Sequence, residues 1–318
     1  VAAHAGLSRA TVSLVLNNVE GARIPPETQE RVRASAAALG FRPNALARAL
    51  STARSFTLGC LTDNLADPQV AALLAALQKL AWQRQEMLLL APAARTAAEI
   101  AERAGWLAER RVDGLVLCLS RPLPADIRDM PALPLAVLST WPATAGTAAC
   151  DEKESARRAT ALLLAAGHRK IVCLAPAAPD DAAQQAILGY RYALAEAGLD
   201  FDPALELGAD GEHAAFGLLS RRLAAGAGVE ALLCLNEALA AGAIAALQAA
   251  GRPAGADRPV VTRTFHAPAA PAGPGMVSLT YPAEELAGWA LNRLHREEKA
   301  GTAAAGAAAF VRRLVGTL

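Results

Sequence analysis

Seven residues near the start of the chain have side chains suited to the edges and backbone of a nucleic acid. In HAGLSRATVSLVLNN, residues 4–18, Ser8, Arg9, Thr11, Ser13 and Asn17 are polar, while Ala10 and Leu14 are apolar. An arginine pairs in bidentate fashion with O6 and N7 of guanine, whereas Ala10 and Leu14 offer only apolar contact, for example to a thymine methyl. Hydroxyls and amides suit the phosphate contacts that fix register.

Such side chains act together only if a helix presents them on one face. Residues 9–17 are expected to form it, with Ser8 as N-cap. At 3.6 residues per turn Val12, Val15 and Leu16 turn inward, leaving Arg9, Ala10, Ser13, Leu14 and Asn17 on the other face. Gly6 and Leu7 make the turn before it, after a short opening helix near residues 1–5. A third helix is expected over 26–39, with Pro26 at its first position and Gly40 at its end. A recognition helix enters a major groove in this manner. A generic helical hairpin remains the alternative at this point.

Residues 41–55, FRPNALARALSTARS, form a bridge with a short helix started by Pro43 and Asn44. From Phe56 onward apolar strands alternate with helix-length Ala/Leu segments. Strands are expected at 57–62, 86–92, 114–120, 134–139, 170–176, 231–236 and 259–264. The helices between them are expected at 68–84, 96–110, 154–166, 182–197, 213–225 and 238–250. Continuous apolar strands alternating with helices imply parallel sheets covered on both faces. So many strands divide naturally into two α/β lobes, with ligand sites beyond the strand C-termini and in the cleft between lobes.

Charge is distributed to match. The whole chain of 318 residues has a net charge of +1, so no global field points to a polyanion. Residues 1–55, however, hold seven arginines against three glutamates, whereas the remaining 24 basic residues face 27 acidic ones. A basic cap on a mildly acidic body suits nucleic-acid contact at one end. The five cysteines are scattered without a CxxC pair, most of them in apolar runs, and read as buried free thiols in a reducing compartment. With neither a leader-like segment nor an 18-residue apolar run, the expectation is a cytoplasmic protein that does not enter a membrane. No GxGxxG after a strand, GxxxxGK[ST] or GxSxG occurs, and the five histidines lack metal-ligand spacing. Neither catalysis, a metal nor a cofactor is therefore expected.

VAAHAGLSRATVSLVLNN followed by ETQERVRASAAALGFRPNALARAL resembles the N-terminal region of the lactose-repressor (LacI/GalR) family of bacterial transcription regulators. The resemblance continues through TLGCLTDNLADPQVAALL, ERRVDGLVLCLS, LLLAAGHRKIVCLA, LGYRYALAEAGL and CLNEALAAGAIAALQAAG, in family order. It implies an all-α helix–turn–helix head (residues 1–40), a hinge helix and linker (41–55) and a periplasmic-binding-protein-like core of two parallel-sheet lobes. The N-terminal lobe would comprise 56–151 with about 281–300, and the C-terminal lobe 152–280 with about 301–318. The implied partners are a second copy of the chain, a near-palindromic double-stranded operator and a small-molecule effector, with repression the expected direction. Leu50 falls where the family wedges a leucine into the minor groove, which kinks the duplex. Asn44, Ala47 and Arg48 would lie beside it, with Arg48 a candidate phosphate partner. Leu14 stands where the family commonly has arginine, a change that removes a bidentate guanine contact of about 1–3 kcal/mol and shifts the operator preference at that base pair.

The effector site departs further from the family. Ala186 replaces the arginine three positions before GY. Thr140 and Trp141 stand where an aspartate often follows a strand, and Thr264 stands nearest a further family aspartate. Gln69 and Val70 replace an aromatic pair, while the family asparagine is kept as Asn236. A polyhydroxylated sugar needs several converging polar groups, because each desolvated hydroxyl must be satisfied. The residues available to rebuild a site are Asp63, Gln69, Trp141, Gln184, Asn236, Arg263 and His266. Asp63 and Asn236 fit equally as helix caps, and Trp141 as core. Two alternatives stay open: a solute-binding module of the periplasmic type, and a regulator whose cleft binds nothing.

Overall fold

The computed structural model describes residues 1–16, 21–41, 49, 52–92, 94–120, 130–139, 147–264, 275–300 and 308–315. Three helices open it: α1 (Ala2–Ala5), α2 (Arg9–Leu16) and α3 (Pro26–Ala38). Val12, Val15 and Val32 form their small core, with Leu7, Leu16 and Ile24 packed around it. Gly6, at φ 62, stops α1 in a left-handed conformation that permits the tight turn into α2. The Ser8 hydroxyl accepts the Thr11 amide at 3.0 Å, the capping role expected of it.

The first lobe runs β1 (Thr57–Thr62), α4 (Pro68–Gln83), β2 (Met87–Leu90), α5 (Ala97–Glu109), β3 (Gly114–Leu119), β4 (Leu135–Ser139) and β5 (Thr147–Cys150). The second runs α6 (Glu152–Ala165), β6 (Ile171–Ala175), α7 (Asp181–Glu196), β7 (Glu206–Gly208), α8 (Gly211–Ala224), β8 (Ala231–Cys234), α9 (Glu237–Ala249), β9 (Val260–Thr264) and β10 (Met276–Thr280). The chain then returns to the first lobe through α10 (Ala283–Ala300) and β11 (Ala308–Phe310), and ends in the second with β12 (Arg313–Val315). The closing segment, assigned above to the second lobe, thus contributes a strand to each.

The sheet orders are β11-β5-β4-β3-β1-β2 and β12-β10-β9-β8-β6-β7, parallel except for the antiparallel β10–β12 pair. Apolar side chains on both sheet faces explain the continuous hydrophobic strands. Leu58, Cys60, Val116 and Leu138 pack under α4 and α10, whereas Leu61, Leu115, Leu117 and Val137 pack under α5. In the second lobe Ile171, Cys173 and Leu233 meet α6 and α7, and Val172, Leu174 and Leu232 meet α8 and α9. All five cysteines are free and buried within the sheets. Gly189 has a specific task in this packing: a Cβ there would overlap the Lys153 carbonyl oxygen, so only glycine lets α6 and α7 cross this closely. Three crossings join the lobes, at residues 150–152, 280–283 and 310–313.

Candidate functional site

The three-helix head presents the face the sequence suggested. Ser8, Arg9, Ala10, Ser13 and Leu14 are exposed, Thr11 is half-buried, and the Val12 and Val15 side chains anchor the opposite face of α2. Leu14 keeps 38% of its surface open, so it is not part of the core. The approach to α3 is fixed by Gln29, which donates to the Ile24 carbonyl at 3.0 Å and accepts from Arg33 at 3.2 Å. Such a helix, rigid behind and polar in front, can make base-edge contacts with little reordering. Asn17, Asn44, Ala47, Arg48 and Leu50 lie outside the described residues.

At the strand C-termini, the expected ligand residues separate into two groups. Asp63 is buried and accepts from the Ser120 amide at 2.8 Å and its hydroxyl at 2.9 Å, tying the end of β1 to the end of β3. It does not cap α4; Asp67 does, accepting from the Gln69 and Val70 amides. Asn236 caps α9 through the Leu239 amide at 2.8 Å, and its carbonyl accepts from Thr262 at 3.4 Å. Gln184 is exposed and donates to the Pro179 carbonyl at 3.1 Å, within its own helix entry.

The second group meets at the interlobe crossings. Gln69 donates to Glu152 Oε1 at 3.5 Å, and Arg263 Nη1 lies 3.7 Å from Glu152 Oε2. Glu152 is held chiefly by Arg312, whose Nε and Nη2 each donate to one carboxylate oxygen at 2.8 Å. Arg312 Nη1 donates in addition to the Thr264 carbonyl at 2.6 Å, its amide donates to Ser155 Oγ at 3.0 Å, and its guanidinium stands 5.0 Å from the Tyr281 ring. Burial alone pushes the Glu152 carboxyl up; Arg312 and Arg263 reverse this and hold it below the ordinary carboxylate range. Burial pushes Arg263 down, against the opposing pull of Glu152. Trp141 and His266 lie outside the described residues.

Glu152 and Arg312 were missed by the sequence reading. Glu152 follows a buried strand as one of an acidic pair that looks like an ordinary helix start, which Asp151 indeed supplies by accepting the Glu154 amide. The available signal was Arg312, a charged residue inside the apolar stretch that closes the chain.

On the outer side of the first lobe, α4 and edge strand β2 frame a groove of about 680 Å³ lined by Cys60, Leu74, Lys79, Trp82, Glu86 and Met87. Trp82 is 72% and Met87 59% exposed, with Leu90 beside them. Large apolar side chains thus stand open beside the edge strand β2.

Residues 1–44 match the family described as bacterial regulatory proteins, lacI family. Residues 55–267 match periplasmic binding proteins and sugar binding domain of LacI family. The regulator GalS of Salmonella typhimurium is 33% identical over 259 residues, covering 78% of this chain and 74% of its own. CelR of Thermobifida fusca is 31% identical and covers 89% and 86%. The crystal structure of the lac repressor dimer bound to operator and the anti-inducer ONPF shares the fold, with a TM-score of 0.69, 23% identity and coverage of 99% and 96%. Among the described residues no helix is long and apolar enough to cross a membrane. With a matching head, a matching two-lobe core and curated relatives that are transcriptional regulators, this chain belongs to the lacI family of bacterial regulatory proteins.

Proposed function

We propose that the chain is a cytoplasmic, non-enzymatic repressor that binds a near-palindromic operator as a homodimer and is switched by a small molecule in the interlobe cleft. The observation that carries this reading is the α2 face: Arg9, Ala10, Ser13 and Leu14 exposed over a valine core, with a capped N-terminus. Arg9 reads guanine, Leu14 meets a thymine methyl, and Ser8, Thr11, Ser13 and Asn17 fix register on phosphates. Leu50 is the proposed minor-groove wedge, flanked by Asn44, Ala47 and Arg48. The relatives include a lac repressor structure that is a dimer on operator, which supports pairing. The two-fold interface is assigned to the α4/β2 surface, a choice supported by its open Trp82 and Met87.

The cleft is the proposed effector site, with Asp63, Gln69, Trp141, Gln184, Asn236, Arg263 and His266 as its candidate residues. Closure of the lobes on a ligand would act on the crossings that Glu152 and Arg312 tie together. A second reading, a cleft that has lost its ligand, is favoured by the local bonds of Asp63, Asn236 and Gln184. The fold is shared with solute-binding proteins, but the attached head favours the regulator.

The test is selection from a random duplex library with the full chain, with a salt titration and Leu50→Ala alongside. A two-fold-related motif bound with steep salt dependence, and weakened by the variant, is expected. Weak, sequence-indifferent binding by the parent chain would sink the reading. Calorimetry with sugars, phosphate and purines, with and without the selected duplex, then separates a switched regulator from a constitutive one.

A further inference from the structure

The base of the first lobe holds a cluster that the DNA-reading and effector sites do not use. Glu86, in the turn between α4 and β2, is buried with only 3% of its surface exposed. Its Oε1 receives Arg54 Nη2 from the linker at 3.3 Å, and His295 Nε2 from α10 lies 2.8 Å from the same atom. Its Oε2 has no hydrogen-bond partner among the described residues. Beside it Asp113 accepts from the Ser55 amide at 2.7 Å, the Ser55 hydroxyl at 3.0 Å and the Phe56 amide at 2.8 Å, with Arg54 Nε 3.8 Å away. Ala53 and Phe56 both have φ 55, a conformation costly for non-glycine residues that persists only when surroundings impose it.

α10 connects this cluster to the interlobe crossing. It starts directly after Tyr281, which faces Arg312, and reaches His295 after about 18 Å of helix at 1.5 Å per residue. Lys79 donates to Glu284 at 2.7 Å near one end, and Arg84 donates to Asn292 at 2.7 Å near the other, so α10 is tied to α4 along its length. Arg293 fixes it to β4 through the Leu135 carbonyl at 2.9 Å. α10 is thus one packed helix with the crossing at its start and Glu86 beside its later turns.

We propose that Glu86 is a positioning residue, a latch at which one buried carboxylate sets the path of the linker to the DNA-reading head by gripping Arg54 while bound to α10. Only the operator arm of its test rests on the regulator reading. Glu86→Gln and Arg54→Gln are made separately and together in the full chain. Amide hydrogen exchange is followed at Ser55 and Phe56, and affinity is measured for the duplex the parent selects. Each single variant is expected to speed exchange at those two amides and weaken the duplex complex by about tenfold, as for loss of one charge-assisted hydrogen bond. The selected sequence should stay the same, and exchange in β1 and β3 should not change. The double variant should lose less than the sum of the two single ones, because the Arg54–Glu86 contact is broken in all three. Unchanged exchange at Ser55 and Phe56, a fully additive double variant, or faster exchange throughout β1 and β3 would each overturn the latch. If the parent selects no duplex, the regulator reading fails, and the exchange measurement alone decides the latch.

Discussion

The first sheet ends on β2 and the second on β7, each the strand that follows the first strand and helix of its lobe, yet the two edges are finished differently. At β7, Arg191 grips Glu206 through three contacts of 2.8–3.0 Å and stacks on Phe201, while the buried Tyr190 hydroxyl donates to the Ile171 carbonyl at 2.8 Å. At β2 the outer face carries Trp82, Met87 and Leu90 instead. The helix ends differ as well. After α7 and α8 the left-handed residue is Gly198 or Gly226; after α4 and α5 it is Gln85 at φ 61 or Arg111 at φ 55. Side chains pay about 1–2 kcal/mol for that conformation and glycine does not. The β7 edge is thus tied by an ion pair and its helices end on glycine, whereas the first lobe holds a more open apolar face and strained turns next to the linker. The proposed pairing through the first lobe rests on that difference.

The largest effect is expected where the lobes join. Arg312→Ala leaves Glu152 buried without its main partner and should cost about 3–5 kcal/mol of unfolding free energy in denaturant titrations. Glu152 titrates lower in the folded chain than in the unfolded one, so its stabilisation is complete above the ordinary carboxylate pKa and is lost as pH falls through the folded value. Glu152→Gln should flatten that acid limb. Gly189→Ala comes next, at about 3 kcal/mol, because α6 and α7 must separate to admit a methyl group. Its counterpart in the first lobe, Gly288→Ala in α10, meets nothing within 4 Å and should be neutral or stabilise by up to about 1 kcal/mol. Equal losses in the two variants would erase the difference in helix packing.

The contrast between the edges is tested by Trp82→Glu against Phe201→Glu, at the ring on which Arg191 stacks beside β7. In sedimentation velocity the former should weaken the dimer by about 2 kcal/mol or more, as for a central aromatic anchor, and the latter should leave it unchanged. A dimer broken only by the second variant would reverse the assignment of the two faces. The smallest effect belongs to the turns: Gln85→Gly should raise stability, and Gly198→Ala lower it, by about 1 kcal/mol each.

Most of the frame is legible in the sequence. The strand expected at 57–62 is β1 to the residue, and the helices that follow the expected strands end within two residues of their expected limits, because the apolar runs and terminal glycines are strong local signals. β5, β7, β10, β11 and α10 were not identified. β5 (TAAC) and β7 (ELG) are short and take their strand character from neighbours, not from propensity. α10 is rich in charge at its end, so its apolar stripe of Leu286, Ala290, Leu291 and Leu294 is diluted. The reading face was legible because Arg9–Leu14 is local. Glu152–Arg312 was not, since its partners lie 160 residues apart and meet only where two sheets adjoin.

The central claim, that α2 reads DNA through its exposed face, is tested most directly by repeating the duplex selection with Leu14→Arg. The side chain is open to solvent, so the fold should be untouched. The expected result is the parent motif changed at one symmetry-related pair of positions, where a base pair reading thymine gives way to guanine, with the remaining positions and the salt dependence retained. A motif identical to the parent's, or changes scattered over the whole site, would show that Leu14 does not face a base and would contradict the account.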